Sequence, residues 1–139
     1  QIRKELQDTM DANMQVFRTK ESLEQVLRDI ASFEERYKHV TVQDKGKRFN
    51  LDLLEAVELG FLLDMAKVMT VGALHREESR GGHYREDFPD RNDEKFMKHS
   101  MAYLDTSVTV DSSAESVAGI RLETKPVIFT RYEPMERKY

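Results

Sequence analysis

The sequence predicts a mainly α fold: an antiparallel three-helix bundle, then a short irregular segment and a small β-hairpin with an extended C-terminal tail. Three observations carry this expectation. Apolar residues recur every three or four positions in three successive stretches, the period of a helix with one buried stripe. A pair of glycines, Gly81 and Gly82, closes the third stretch. Near residue 100 the spacing changes toward alternation, the period of extended chain. Residues 1–100 are therefore expected to form the bundle and a charged joint loop. Residues 101–139 are expected to form a hairpin-like extension and tail, all within one compact domain.

In the first stretch, Ile2, Leu6, Met10, Met14 and Phe17 form one stripe, broken by Arg18, Thr19 and Lys20. The second helix is expected to begin near Ser22, because Gln25 stands three residues on, the spacing of a capping box. Leu23, Val26, Leu27, Ile30, Phe33 and Tyr37 form its stripe. Val40 and Val42 lead the chain out, and Asp44, Lys45 and Gly46 read as a turn.

The third helix has the strongest signal. Asn50 suits an N-cap, and Asp52 sits in the first turn, where the helix dipole favours an anion. No proline interrupts the run to Ser79, about 40 Å of helix at 1.5 Å per residue. Leu51, Leu54, Val57, Phe61, Leu62, Met65, Val68 and Met69 cover most of its circumference, so it is expected to be central and packed on more than one side.

Gly81 and Gly82 would then end it. Residues 83–93 are charged, contain Pro89 and read as irregular. Asp93 to His99 suits a short further helix with Phe96 facing inward. Met101, Tyr103, Val108 and Val110 read as extended chain, and Asp111 to Ser116 as a polar loop. Ile120, Leu122, Val127, Ile128 and Phe129 read as a return strand, with Pro126 better suited to an edge. The closing RYEPMERKY reads as poorly structured on its own.

Composition narrows the function classes. The 139 residues carry a net charge of −4, against a general nucleic-acid or anionic-membrane binder. No apolar run approaches the roughly 18 residues of a membrane span. There is no cysteine, which excludes disulfides, thiolate metal sites and cysteine nucleophiles. The chain opens on Gln1 and already reads as helix by Glu5. That leads to the expectation of a segment cut from a longer polypeptide.

The stretch REESRGGHYREDFPDRNDEKF, residues 76–96, gathers the residue types of an active site around two glycines. A metal centre is not supported: His39, His75, His83 and His99 include no pair three or four residues apart. Glu77, Glu78, His83 and Asp87 could make an acid–base set, but a charged loop after a helix end is more often solvated surface or interface. Ser79 lies in no G-x-S-x-G elbow. One RGG among acidic neighbours is no RNA-binding tract. The glycines follow a helix, whereas a phosphate cradle precedes one. Met10, Met14, Met65 and Met69 fall at helical spacing and read as core. No catalytic, cofactor-binding or metal-binding residue is therefore assigned.

Three motifs carry a resemblance. Phe49, Asn50, Asp52 to Ala56, Glu58 and Leu59 match one. Glu78 to Gly81, His83 and Arg85 to Asp87 match the second, and Asp93, Phe96, Lys98, His99 and Tyr103 the third. Met10, Asn13, Val16, Phe17 and Arg18 add a fourth match in the opening stretch. Together they resemble the C-terminal helical domain of the succinate dehydrogenase/fumarate reductase flavoprotein subunit. The final RYEPMERKY is similar to the end of actinobacterial members. Leu51, Gly82 and Phe96 depart from the family's usual Thr, Ala and Trp.

The resemblance implies an accessory domain of an oxidoreductase whose parent subunit holds covalent FAD and passes electrons from succinate to an iron–sulfur subunit and quinone. It implies partners in the FAD-binding and capping domains of the same subunit and in the iron–sulfur subunit, with no nucleic acid and no direct membrane insertion. It implies a place on the cytoplasmic side of the bacterial inner membrane, peripheral through partner subunits. On this basis Arg80, Gly81, His83, Arg85, Glu86 and Asp87 are candidates for an interdomain joint, and the chain alone is expected to be inactive. The rival expectations are a stand-alone three-helix protein-interaction module and the equivalent domain of a related flavoprotein such as an L-aspartate oxidase.

Overall fold

The computed structural model describes residues 1–104, 116–132, 134 and 135. Helix α1 (Ile2–Asn13) is followed by a two-residue strand β1 (Phe17–Arg18), helix α2 (Lys20–Tyr37) and the long helix α3 (Leu51–His75). Strand β2 (Tyr84–Arg85), a single turn of helix α4 (Asp93–Phe96) and strands β3 (Lys98–Leu104), β4 (Ser116–Val117) and β5 (Ile120–Pro126) complete the order.

Helix α2 packs against both α1 and α3. Leu23, Val26 and Ile30 are fully buried along its inner stripe, and Ile2, Leu6, Phe33, Leu59, Leu63 and Ala66 complete the core. Each buried aliphatic side chain contributes roughly 1.5–3 kcal/mol. At Gly60 there is no room for a side chain between α2 and α3. A Cβ there would lie 2.7 Å from the Tyr37 hydroxyl, which donates to the Ala56 carbonyl at 2.9 Å.

Several boundaries differ from expectation. Helix α2 begins at Lys20, and its capping box joins Thr19 and Ser22, not Ser22 and Gln25. Thr19 wins because its extended backbone lets its hydroxyl accept from Ser22 N–H; Gln25 instead donates along the helix to Asp29. Helix α3 stops at His75, short of Ser79, because Arg76 turns extended. The glycines therefore do not cap it. Gly81, at φ +59°, sits in a separate turn between Arg80 and His83.

Helix α3 is also not covered all round. Leu54, Val57, Phe61, Leu62, Met65 and Met69 are all more than two-fifths exposed. None of the six belongs to the buried core.

The C-terminal part is a three-stranded sheet in the order β3-β5-β4, with β3 and β5 antiparallel from Lys98↔Pro126 to Leu104↔Ile120. Pro126 ends the central strand beyond the reach of β4, so it has a strand on one side only. Val127 to Phe129 lie past the strand's end. Val108, Val110 and the loop from Asp111 to residue 115 fall outside the described residues. Phe96 is buried, 4% exposed.

Candidate functional site

The candidate joint residues lie where the chain leaves α3. Arg80 and His83 close a small turn, Arg80 N–H donating to the His83 carbonyl at 2.7 Å and His83 N–H returning at 3.0 Å. Strand β2 then pairs in parallel with β1, Phe17 beside Tyr84 and Arg18 beside Arg85. Ser79 pins the following turn: its hydroxyl accepts from Arg85 N–H at 2.9 Å and donates to the Phe88 carbonyl at 2.8 Å.

The loop is not a solvated surface throughout. Two of its charges are interior: Glu78 is 0% and Arg85 is 1% exposed. Glu78 accepts from Arg76 at 2.5 Å, from Arg80 at 2.8 and 3.1 Å, and from Asn92 N–H at 2.8 Å. Burial alone would raise its pKa. The Arg80 guanidinium, the Asn92 N–H and Arg76 outweigh burial, and the carboxyl titrates below its ordinary range. A buried carboxylate stays charged only when so many donors meet it.

Arg85 fastens two helix ends together. Its Nη1 donates to the Ala73 and Leu74 carbonyls at the C-terminal end of α3, at 3.0 and 3.2 Å. Its Nε and Nη2 form a bidentate pair with Asp87, both at 2.7 Å. Asp87 in turn accepts from Lys20 N–H at the start of α2, at 3.1 Å. A cation thus sits at a helix C-terminus and an anion at a helix N-terminus, each where the helix dipole favours it. The Arg85 pair, then burial, set the Asp87 pKa, and the net effect lowers it.

His83 is half-buried between two elements. Its Nδ1 lies 2.9 Å from an Arg18 guanidinium nitrogen and its Nε2 lies 3.0 Å from the Arg76 carbonyl. Burial pushes the ring below the ordinary histidine range; the Arg76 carbonyl opposes this, and the Arg18, Arg85 and Arg76 charges reinforce it. Arg80 also pairs with Asp93, and Glu86 is exposed, its N–H donating to the Arg18 carbonyl at 2.9 Å. Gly81 is exposed at the tip.

Four of the six joint candidates, Arg80, His83, Arg85 and Asp87, thus join one knot through their side chains, and Gly81 forms its turn. Glu86 joins it through its backbone alone. Glu78, Arg76, Ser79 and Arg18 hold the same knot and were not among the six joint candidates. Their signal was the density of Arg and Glu two residues apart, which does not say which charges turn inward. Both His83 nitrogens, the interior Glu78 carboxylate and the part-exposed Asp87 carboxylate are engaged, an arrangement suited to holding the chain in place. Among the described residues no cluster of three or more His, Asp or Glu is placed to hold a metal. No helix among them is long and apolar enough to cross a membrane.

Comparison with known proteins adds the wider frame. A family model described as fumarate reductase flavoprotein C-term matches residues 3–139. The chain is 41% identical to a succinate dehydrogenase flavoprotein subunit of Rickettsia conorii over 94% of its length, which is 20% of that protein. It is 34% identical to a fumarate reductase flavoprotein subunit of Haemophilus influenzae over its whole length, 22% of that protein. A solved E. coli quinol fumarate reductase chain superposes with a TM-score of 0.84 at 34% identity, over 97% of this chain and 22% of that one. The chain therefore spans about a fifth of the relatives it matches.

Proposed function

Because the chain belongs to the family of fumarate reductase and succinate dehydrogenase flavoprotein C-terminal domains, we propose that it serves as the C-terminal accessory domain of a flavoprotein that interconverts succinate and fumarate. The observation that carries the proposal is the match across residues 3–139 to subunits about five times as long. In this proposal the chemistry lies elsewhere in the subunit, and this domain supports it. Electrons would pass from the parent's FAD to an iron–sulfur subunit and quinone. The complex would sit peripherally on the cytoplasmic side of the bacterial inner membrane, through partner subunits.

The residues here do not fit a flavin. No glycine-rich turn precedes a helix to cradle a pyrophosphate, and the one glycine pair follows α3. Two features favour an accessory role. The exposed apolar face of α3 suits burial against the FAD-binding and capping domains. Phe49, 98% exposed and at φ 52°, is a bulky side chain held in a conformation few residues adopt, just before the N-cap of α3. The knot of Arg80, Gly81, His83, Arg85, Glu86 and Asp87 would then act as the joint that keeps β1, α3 and β2 in the shape the other domains meet.

The test compares flavin content and succinate:acceptor turnover of this chain alone and of the complete polypeptide containing it. The expected outcome is flavin and turnover in the complete polypeptide and neither in the chain alone. Flavin binding or turnover by these 139 residues would overturn the proposal.

A further inference from the structure

Arg18 differs from the other arginines of the joint. Arg76 and Arg80 are paired with Glu78, Arg85 with Asp87, and Arg91 with Asp93. Among the described residues Arg18 meets only neutral acceptors: its Nε donates to the Met14 and Gln15 carbonyls at 3.0 and 2.6 Å, and its Nη1 faces His83 Nδ1 at 2.9 Å. Its Nη2 makes no hydrogen bond among the described residues. The side chain is partly buried, and burial lowers its pKa. A guanidinium drawn out of water without a counter-charge is costly.

Arg18 lines an open cleft of about 540 Å³ together with Met69, Arg76, His83, Lys98 and Met101, and neither Asp nor Glu lines it. Arg76 spends its charge on Glu78, so Arg18 and the exposed Lys98 leave the cleft positive. The charge that complements a guanidinium fork best is a carboxylate, held by two parallel hydrogen bonds. The cleft's rim narrows the source. Met69 and Met101 are 51% and 40% exposed, and Met69 continues the bare apolar face of α3 through Met65 and Phe61. A free ion would leave that surface wet, whereas a protein segment covers it while delivering the acid. The Rickettsia relative has 80% of its length outside the matched region, ample chain to supply such a segment.

We infer that this cleft receives an Asp or Glu side chain from another part of the same polypeptide, clamped by the Arg18 guanidinium. The inference rests on the accessory-domain proposal above. It makes β1 a docking point, with His83 as the neutral support that aims Arg18 outward.

The experiment uses the complete polypeptide containing this chain, as wild type and as Arg18→Lys, treated with a zero-length carbodiimide and mapped by peptide mass spectrometry. The Lys95–Glu77 contact, 3.0 Å apart, is the internal control for coupling. The expected result is that the amine introduced at position 18 couples to an Asp or Glu outside these 139 residues on the same polypeptide. In the wild type, Lys98 is expected to couple within the same outside segment, which keeps the test open should Arg18→Lys fold poorly. Coupling only to carboxylates inside the 139 residues, only to another subunit, or not at all where Lys95–Glu77 couples would overturn the inference. Flavin content and turnover of the same wild-type sample judge the accessory-domain proposal separately. Turnover without outside coupling removes only this inference, and coupling without turnover removes only that proposal.

Discussion

The Arg18 guanidinium lies 2.9 Å from Nδ1 of His83, and this contact sets the protonation of the ring. Arginine only donates, so Nδ1 must accept. The Arg76 carbonyl only accepts, so Nε2, 3.0 Å away, must carry the proton. The ring is thus a neutral bridge between β1 and the end of α3, and a second proton would sit against Arg18.

The first prediction follows from that bridge. The folded pKa of His83 is lowered, chiefly by burial, so the unfolded chain binds the proton more readily. Stability is complete above the unfolded value of about 6.5 and falls as pH drops through it, by at most about 1.4 kcal/mol per pH unit. His75 shifts in the same direction but is more exposed, so solvent screens its share. His83→Ala is expected to cost roughly 1–3 kcal/mol at pH 8, from two lost hydrogen bonds. It should also flatten most of the fall that begins below about pH 6.5. Urea denaturation across that range reads both effects. An unchanged pH slope in the variant would refute the bridge.

Neighbouring glutamates give a second, sharper contrast. Glu78 is fully buried under two arginines, whereas Glu77 meets Lys95 at the surface. Removing one partner of a buried ion pair leaves charge stranded, so Glu78→Gln is expected to cost about 3–5 kcal/mol. Glu77→Gln should fall within about 1 kcal/mol of the parent. Because the Glu78 pKa is lowered, its stabilisation is present above the usual glutamate value of about 4.3 and is lost on acidification below it. Equal costs for the two variants in chemical denaturation would show that the interior pairing is absent in solution.

The contrast between those two residues also marks what the sequence could reveal. The three helices were legible because Leu23, Val26 and Ile30, like Ile2 and Leu6, repeat at a period that only a packed helix needs. The hairpin was legible from alternation. What stayed hidden was set by local backbone geometry or by long-range partners. Thr19 rather than Ser22 caps α2 because of local backbone geometry that spacing alone does not encode. Periodicity ran the long helix on to Ser79, but the chain turns at Arg76, whose side chain reaches the Phe96 and Lys98 carbonyls. The apolar circumference of α3 was read as a helix buried on several sides. In the structure it includes an exposed face, because the period shows which residues are apolar and not what covers them. Glu77 and Glu78 are identical letters whose fates diverge only in three dimensions.

The glycine pair makes a third prediction. Gly81 is at φ +59° in open space, so a Cβ meets no atom but the backbone is strained for any other residue. Gly81→Ala is expected to cost about 1–2 kcal/mol. Gly82 also has open space and no left-handed backbone, so Gly82→Ala should be neutral or stabilise by up to about 1 kcal/mol through the unfolded chain. Thermal melts of the two single variants decide the matter; a loss at position 82 as large as at 81 would contradict the turn geometry.

The fourth prediction concerns the Arg85–Asp87 link between helix ends. Arg85 contributes a planar fork to Asp87 and a further nitrogen to the Ala73 and Leu74 carbonyls, with Phe88 beneath it at 5.0 Å. A lysine cannot serve both directions at once, since its single ammonium lacks the fork. Arg85→Lys is therefore expected to destabilise the fold by about 2–4 kcal/mol although the charge is kept, and Asp87→Asn by less, because Asp87 is part-exposed and the Lys20 N–H keeps an acceptor. The two residues act through one contact, so their effects should not add: the double variant should cost less than the sum by about 1 kcal/mol or more. A double-mutant cycle in urea measures that coupling. Simple additivity would mean that the two side chains support their helices independently, and that no shared link ties the end of α3 to the start of α2.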